Sequence, residues 1–428
     1  MLRAFLFILL LPLVGHAANP LPFPEAPYLQ RIWRDPGGQV YSVIPGKDGI
    51  LRITRFADGA SFRYWIENGA RVSRPADAPI PTFGENLIHF ADARLTPLPH
   101  TLEEVWFESD GVRFYGQLVL PQSNEPVAAM VVAHGSGSEA ATDYYFEPAV
   151  LIQAGVATLL FDKRGTGRSG GERTHAFDQL ARDLLAGLSL LQSDPRIDGK
   201  RLGVIGLSQG VYVGLQAAAD PRVSALIAAY GMLESPLAED LQETRQRFES
   251  AYPTLDWAEF EPFARACGLA FAGRQDQYWS AVKQGRKRWR KQIDAVQLAG
   301  TMSGDGCLQY GPTLLKAFGR RQLPPGLDWL YDAEAKAAAL QIPTLFQFGE
   351  ADSEAPSASS IAKVGELIAG GKPFALRHYP GADHGMRVWM DDKADSRNYR
   401  IHPDYIADQI DWLSRQFGTA VERTAQLR

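Results

Sequence analysis

The chain has 428 residues, 45% hydrophobic, 11% aromatic and 22% charged, a composition that excludes a disordered chain and allows more than one domain. Lys and Arg number 44 against 49 Asp and Glu, a net charge of −5 with His neutral, so there is no basic excess of the kind nucleic acid requires. Two cysteines, Cys267 and Cys307, exclude a disulfide-dense scaffold and cannot by themselves supply four ligands to zinc.

In chain order, Arg3 precedes an apolar run over residues 4–14 that ends in Gly15-His16-Ala17-Ala18. A basic start, an apolar stretch of this length and a small-residue end predict a signal peptide over residues 1–17, with the mature chain starting at Ala18 or Asn19; an uncleaved anchor is the alternative. The run is too short to span a bilayer, which takes about 20 apolar residues. Later apolar runs are strand-length, so the mature chain is expected to be exported with no membrane span. Export permits Cys267 and Cys307 to be bonded, and a pair of buried free thiols is equally compatible with the sequence.

Residues 18–100 are expected to form a small β-rich region and a linker. Between residues 28 and 72 short apolar runs alternate with turn signals such as Asp58-Gly59 and Asn68-Gly69, the pattern of an antiparallel meander. Residues 75–99 are proline-rich and read as the linker. From residue 101 the pattern changes. A hairpin around Asp110-Gly111 leads into continuous apolar strands that alternate with amphipathic helices, among them residues 176–191 with Leu180, Leu184, Leu188 and Leu191 at helical spacing. This predicts an α/β fold with a mostly parallel sheet covered on both faces. Residues 232–339 interrupt the rhythm with helical, aromatic text. They read as a cap inserted into a catalytic domain made of residues 101–231 and 340–428. The cap aromatics, Trp257, Phe271, Tyr278, Trp279 and Trp289 among them, are candidates either for a substrate pocket or for the cap's own core.

The chemistry-bearing motif is Gly206-Leu207-Ser208-Gln209-Gly210, which follows a predicted strand and opens a predicted helix, the context of a nucleophile elbow. A serine hydroxyl needs a base that a third group orients. With this elbow the acid and then the histidine follow in the chain. Asp352 and His384 stand after the next predicted strands, so Ser208, Asp352 and His384 are the predicted triad. Glu350 and Glu354 are rival acids and His402 a rival base, while Asp383 reads as a solvent-facing loop group. Developing negative charge requires fixed N–H donors. The backbone N–H of Gln209 is one; Ser136, in His134-Gly135-Ser136-Gly137-Ser138, is the other, with Gly137 second. His134 reads as a turn former.

The segments HGSGS, FDKRGTGRSGG over residues 161–171, GLSQG, FGEAD and PGADHG occur in that order. Together they resemble the secreted α/β-hydrolase superfamily, in its serine esterase and aminopeptidase-like group with a helical cap. The resemblance covers residues 101–418. It implies the α/β-hydrolase fold and the triad, and leaves the substrate open; the Asp162–Ser169 loop is similar to one that shapes the site floor in these proteins. No phosphate-loop Lys-Ser/Thr pair follows its glycines, and no cofactor or metal set is expected.

The first function expected is therefore an exported serine hydrolase acting on a small carboxylic ester. The same fold also serves exported peptidases with short peptide-like substrates, for which Glu234, Glu239, Asp240 and Glu243 are candidate amine-binding groups. Thioester hydrolysis, acyl transfer and a non-catalytic binding role are further alternatives. The run Arg286-Lys287-Arg288-Trp289-Arg290-Lys291 reads as a solvated cap face, with an anionic polymer or substrate group as its alternative partner. Oligomeric state is left open.

Overall fold

The computed structural model describes residues 32–46, 49–68, 70–271, 275–310, 314–315, 324–355, 357–390 and 398–419. The expected signal peptide lies outside these residues.

The N-terminal part is an antiparallel sheet of eight strands: β1 (Ile32–Arg34), β2 (Val40–Pro45), β3 (Leu51–Arg55), β4 (Ser61–Glu67), β5 (Ala70–Arg74), β6 (Thr82–Gly84), β7 (Leu87–Phe90) and β8 (Ala93–Pro97), in the order β5-β4-β3-β2-β1-β8-β7-β6. The expected meander is present. The expected linker over residues 75–99 is corrected: β6, β7 and β8 fill most of it, and β8 pairs with β1. The rings of Phe62 on β4 and Phe90 on β7 are 5.0 Å apart although four strands separate them in the sheet. The sheet therefore curls over a core that includes Trp33, Tyr64, Ile88 and Leu95. Strand alternation sends Leu51 and Ile53 into that core and Arg52 and Thr54 to the opposite face.

The second sheet has the order β16-β15-β14-β13-β11-β12-β10-β9. Its strands are β9 (His100–Ser109), β10 (Val112–Pro121), β11 (Val127–Ala133), β12 (Ala157–Phe161), β13 (Ile197–Leu207), β14 (Val223–Ala229), β15 (Thr344–Gly349) and β16 (Phe374–Tyr379). β9 and β10 are an antiparallel hairpin, and β11 to β16 run parallel. Ala128 to Val132 and Ala225 to Ala228 are almost fully buried, as expected of strands covered on both faces. Helices Phe177–Ser193 and Gly210–Ala217 pack on one face, with Leu180, Leu184, Leu188 and Leu191 turned inward. The last helix, Pro403–Phe417, packs on the other through Ile406, Leu413 and Phe417.

The inserted segment builds its own core around helices Pro236–Ala251, Trp257–Phe271 and Gln275–Trp289. Phe248, Phe260, Phe263, Phe271 and Trp289 are buried there, and Trp257, Tyr278 and Trp279 pack against them. Helix Ala333–Ala339, at the end of the expected cap, instead packs in the core under the parallel sheet, and the Tyr331 hydroxyl donates to the Tyr212 carbonyl at 3.2 Å. The insertion thus ends before residue 331. On helix Gln275–Trp289, Arg286 donates to the Cys307 and Leu308 carbonyls and Arg288 pairs with Glu259. Cys267 and Cys307, 40 residues apart, are disulfide-bonded. Closing a loop of that length is worth about 4 kcal/mol in the chain-entropy account, so replacing both cysteines with serine is expected to destabilise the cap by a few kcal/mol. Denaturant titration of the double variant checks this; an unchanged midpoint rules it out.

Candidate active site

Ser208 sits between the end of β13 and helix Gly210–Ala217, with φ +55°. That left-handed conformation costs a non-glycine residue about 1–2 kcal/mol. Its neighbours explain why the turn closes. A Cβ on Gly210 would stand 1.9 Å from the Ala133 carbonyl oxygen, and one on Gly206 2.4 Å from that of Gly210. Only glycines let β11, β13 and the helix approach this closely.

The Ser208 hydroxyl meets His384 Nε2 at 2.9 Å, and His384 Nδ1 meets Asp352 Oδ2 at 2.9 Å. Asp352 follows β15 and His384 follows β16, so neighbouring parallel strands deliver both to one end of the sheet. The two loops are tied by Ala351 N–H donating to the Ala382 carbonyl at 2.9 Å. Asp352 is buried, and its Oδ1 accepts the N–H groups of Glu354 and Ala355 at 2.9 Å each. Burial opposes the His384 imidazolium, but the hydrogen bond and charge of Asp352, aided by Glu354 and Glu239, leave its pKa above the usual value.

The rivals are placed elsewhere. Glu350 bonds His378 at 2.5 Å. Glu354 is exposed and comes only within 3.7 Å of His384 Nε2. His402 packs at a tilt against Tyr379 at the start of the last helix. His134 is buried, packs against Tyr145 and has neither ring nitrogen hydrogen-bonded among the described residues. Asp383 is not the solvent-facing group expected: it holds Arg387 at 3.0 Å and accepts from Trp389 Nε1 at 2.7 Å, organising the turn after His384.

Ser136 lines the same cavity as Ser208, and neither its N–H nor that of Gln209 donates to another described residue. The Gly135–Ser136 peptide is held from behind. Lys163 is buried and its Nζ donates to the Gly135 carbonyl at 2.5 Å. A trans peptide points its C=O and N–H in opposite directions, so this bond turns the Ser136 N–H away from Lys163. The next peptide is fixed by Arg173, which donates to the Ser136 carbonyl at 2.5 Å. Burial, with Arg173 nearby, lowers the Lys163 pKa to about 8. The Gln209 side chain donates to His175 Nδ1 at 2.7 Å, and burial lowers the His175 pKa to about 4, leaving a neutral acceptor. Nothing in the sequence marks Lys163, Arg173 and His175 as site residues, and the family resemblance implies only a site floor for the Asp162–Ser169 loop.

Two cavities meet at Ser208. One, of about 750 Å³, lies between the parallel-sheet unit and the helical insertion, with Phe177, Tyr212, Met232, Leu327 and Trp329 among its walls. None of Trp257, Phe271, Tyr278, Trp279 and Trp289 lines it: these pack in the insertion's own core, so the pocket role considered for them is corrected. The other, of about 280 Å³, runs toward the N-terminal sheet, which contributes Arg52, Thr54, Ser61 and Arg63. Strand β18 (Tyr399–Ile401), in a hairpin with β17 (Arg387–Trp389), fastens that sheet: Ile401 N–H donates to the Gly59 carbonyl at 2.8 Å, and the Arg63 guanidinium lies 3.5 Å over the Tyr399 ring. Among the described residues no three His, Cys, Asp or Glu side chains gather as a metal-ligand set, and no helix is long and apolar enough to cross a membrane.

A family model for the alpha/beta hydrolase family matches residues 130–397. Curated relatives include the thiohydrolase aneE of Aspergillus aculeatus, 30% identical over 145 residues, 33% of this chain and 45% of that protein. The hydrolase acrC of the same organism is 32% identical over 136 residues, 28% and 32% of the two chains. The chain therefore spans less than half the length of these relatives. Similar solved structures include the Pyrococcus furiosus esterase PF2001, with 17% identity, TM-score 0.45 and coverage of 74% of this chain and 92% of that one. The Pyrococcus horikoshii acylaminoacyl peptidase has 15% identity, TM-score 0.45 and coverage of 90% and 57%.

Proposed function

The chain belongs to the alpha/beta hydrolase family, and from that premise we propose that it is an exported serine hydrolase that cleaves a small carboxylic ester through an acyl-enzyme on Ser208. The observation that carries the reading is the unbroken line Ser208–His384–Asp352, with both links at 2.9 Å, beside two N–H groups that have no other acceptor among the described residues. Ser208 Oγ attacks the acyl carbon as His384 Nε2 takes its proton. Asp352 holds the imidazole with Nδ1 protonated and stabilises the imidazolium. The Ser136 and Gln209 N–H groups receive the oxyanion, each such donor being worth about 2.7–4 kcal/mol. His384 passes the proton to the leaving alcohol, and a water activated the same way releases the acid.

Thioester cleavage is the second reading, favoured by the relative that bears the name thiohydrolase. Export is supported by the signal-like segment over residues 1–17 and by the Cys267–Cys307 bond, which suits an oxidising compartment.

A fluorophosphonate probe is expected to label the folded protein once, on the peptide containing Ser208, as read by mass spectrometry. Folded protein that takes no label there overturns the serine mechanism. Rates on matched esters, thioesters and anilides then rank the substrate classes.

A further inference from the structure

The cap's first helix carries four acidic side chains at or near its start, and their surroundings separate them. Glu234 pairs with Lys363 at 2.9 Å and accepts from Ser359. Asp240 accepts the N–H groups of Met302 and Ser303 at 2.7 Å each, fastening a turn within the cap. Glu243 pairs with Arg247 one turn along the helix. The Glu239 carboxylate has no hydrogen bond or ion pair among the described residues, although it is partly buried in the wall of the cavity that contains Ser208 and His384. The cation on the same wall, Arg173, is engaged at the Ser136 carbonyl.

A carboxylate placed this way is unfavourable on its own, because water is partly removed and nothing replaces it. Burial accordingly pushes the Glu239 pKa up to about 7; His384 works against that rise, and Asp352, Glu243 and Glu354 add to it. A cation entering the cavity reverses the balance: it restores a partner to the carboxylate, and the low dielectric strengthens their attraction.

We propose that Glu239 is the recognition group for an ammonium on the substrate, so that the preferred substrates are amine-bearing esters or amides. The inference rests on the serine-hydrolase reading, deepens it by substrate class, and assigns the selecting residue. Glu239 stands in the cap and the reacting hydroxyl in the sheet domain, so a substrate held at both spans the interface between them.

The test compares kcat/KM for p-nitrophenyl 4-aminobutyrate with p-nitrophenyl pentanoate, and for a 2-aminoethyl ester with the matching propyl ester. The amine-bearing member of at least one pair is expected to be favoured about tenfold or more, an ordinary magnitude for a desolvated charge pair. In Glu239→Gln that ratio is expected to fall to near one. Equal rates within both pairs in the wild type, or a ratio retained in Glu239→Gln, overturn the proposal. A second measurement needs no variant: n-butylammonium is expected to inhibit wild-type hydrolysis competitively where 1-butanol at the same concentration does not, and equal inhibition by the two counts against the site. Ser208→Ala separates the layers. Turnover surviving that change removes the serine reading itself, whereas a dead Ser208→Ala enzyme whose parent ignores the amine removes only the ammonium site.

Discussion

Replacing Ser208 with alanine is expected to lower kcat by about 10⁴–10⁶-fold while leaving the fold intact. The hydroxyl is the only atom removed, and it points to His384 at 2.9 Å rather than into the core. The turn itself is held by Ser208 N–H donating to the Ala229 carbonyl at 3.0 Å and by the close approach of Gly206 and Gly210, none of which alanine disturbs. A companion variant sharpens the test. Because Ser208 has φ +55°, Ser208→Gly relieves the left-handed strain and is expected to melt higher than Ser208→Ala, by an amount corresponding to about 1 kcal/mol, while being equally inactive. Steady-state assays and thermal melts of the two variants are sufficient. Residual activity above a tenth of wild type in either removes Ser208 as the nucleophile.

The second large effect belongs to Lys163. Its ammonium is the group that fixes the Gly135–Ser136 peptide, so Lys163→Met is expected to lower kcat by about 10–100-fold, part of the 10²–10³-fold cost of losing an oxyanion donor outright. KM is expected to change little, because ground-state binding does not use that N–H. The pH profile separates this role from simple scaffolding. On the serine-hydrolase reading, wild-type activity is expected to rise with pH as His384 loses its proton, through a pKa raised above the usual imidazole value by Asp352. It is expected to fall again near pH 8, where Lys163, lowered by burial and by Arg173 and supported by Glu139, gives up its charge. Loss of the alkaline limb in Lys163→Met supports the assignment. A variant with the same bell-shaped profile and kcat as wild type shows that the clamp is idle.

The parts of the site that chemistry restricts to a few residue types at strand ends were legible in the sequence. Ser208 and Asp352 each stand just past a buried strand end and His384 follows the edge strand β16, and neighbouring parallel strands bring such positions together. What escaped lies in contacts between distant segments. Lys163 looks like an exposed cation in a glycine-rich loop, and nothing local says that a carbonyl 28 residues earlier waits for it. The cap aromatics recur at helical spacing whether they face a pocket or each other, and Phe248 stacked on Phe260 at 4.7 Å belongs to the second case. Residues 75–99 read as a linker because prolines punctuate them, yet strands of three to five residues fit among those prolines and find partners across the sheet.

The attachment of the N-terminal sheet to β18 bears on how far this protein can be divided. Gly59 has φ +72°, and a Cβ there would lie 1.7 Å from the Ile401 carbonyl oxygen, so the two backbones are in intimate contact. β17 begins three residues after His384, and His402 N–H returns to the Met386 carbonyl at 2.8 Å, which makes the hairpin an extension of the loop that carries His384. The sheet is thus a buttress for the histidine rather than a detachable appendage. A gene fragment cut at residue 100, where the sequence suggests a border, takes away one wall of the cavity and the support of that loop in a single stroke. Transplanting the parallel-sheet unit into another protein means carrying residues 32–97 along with it.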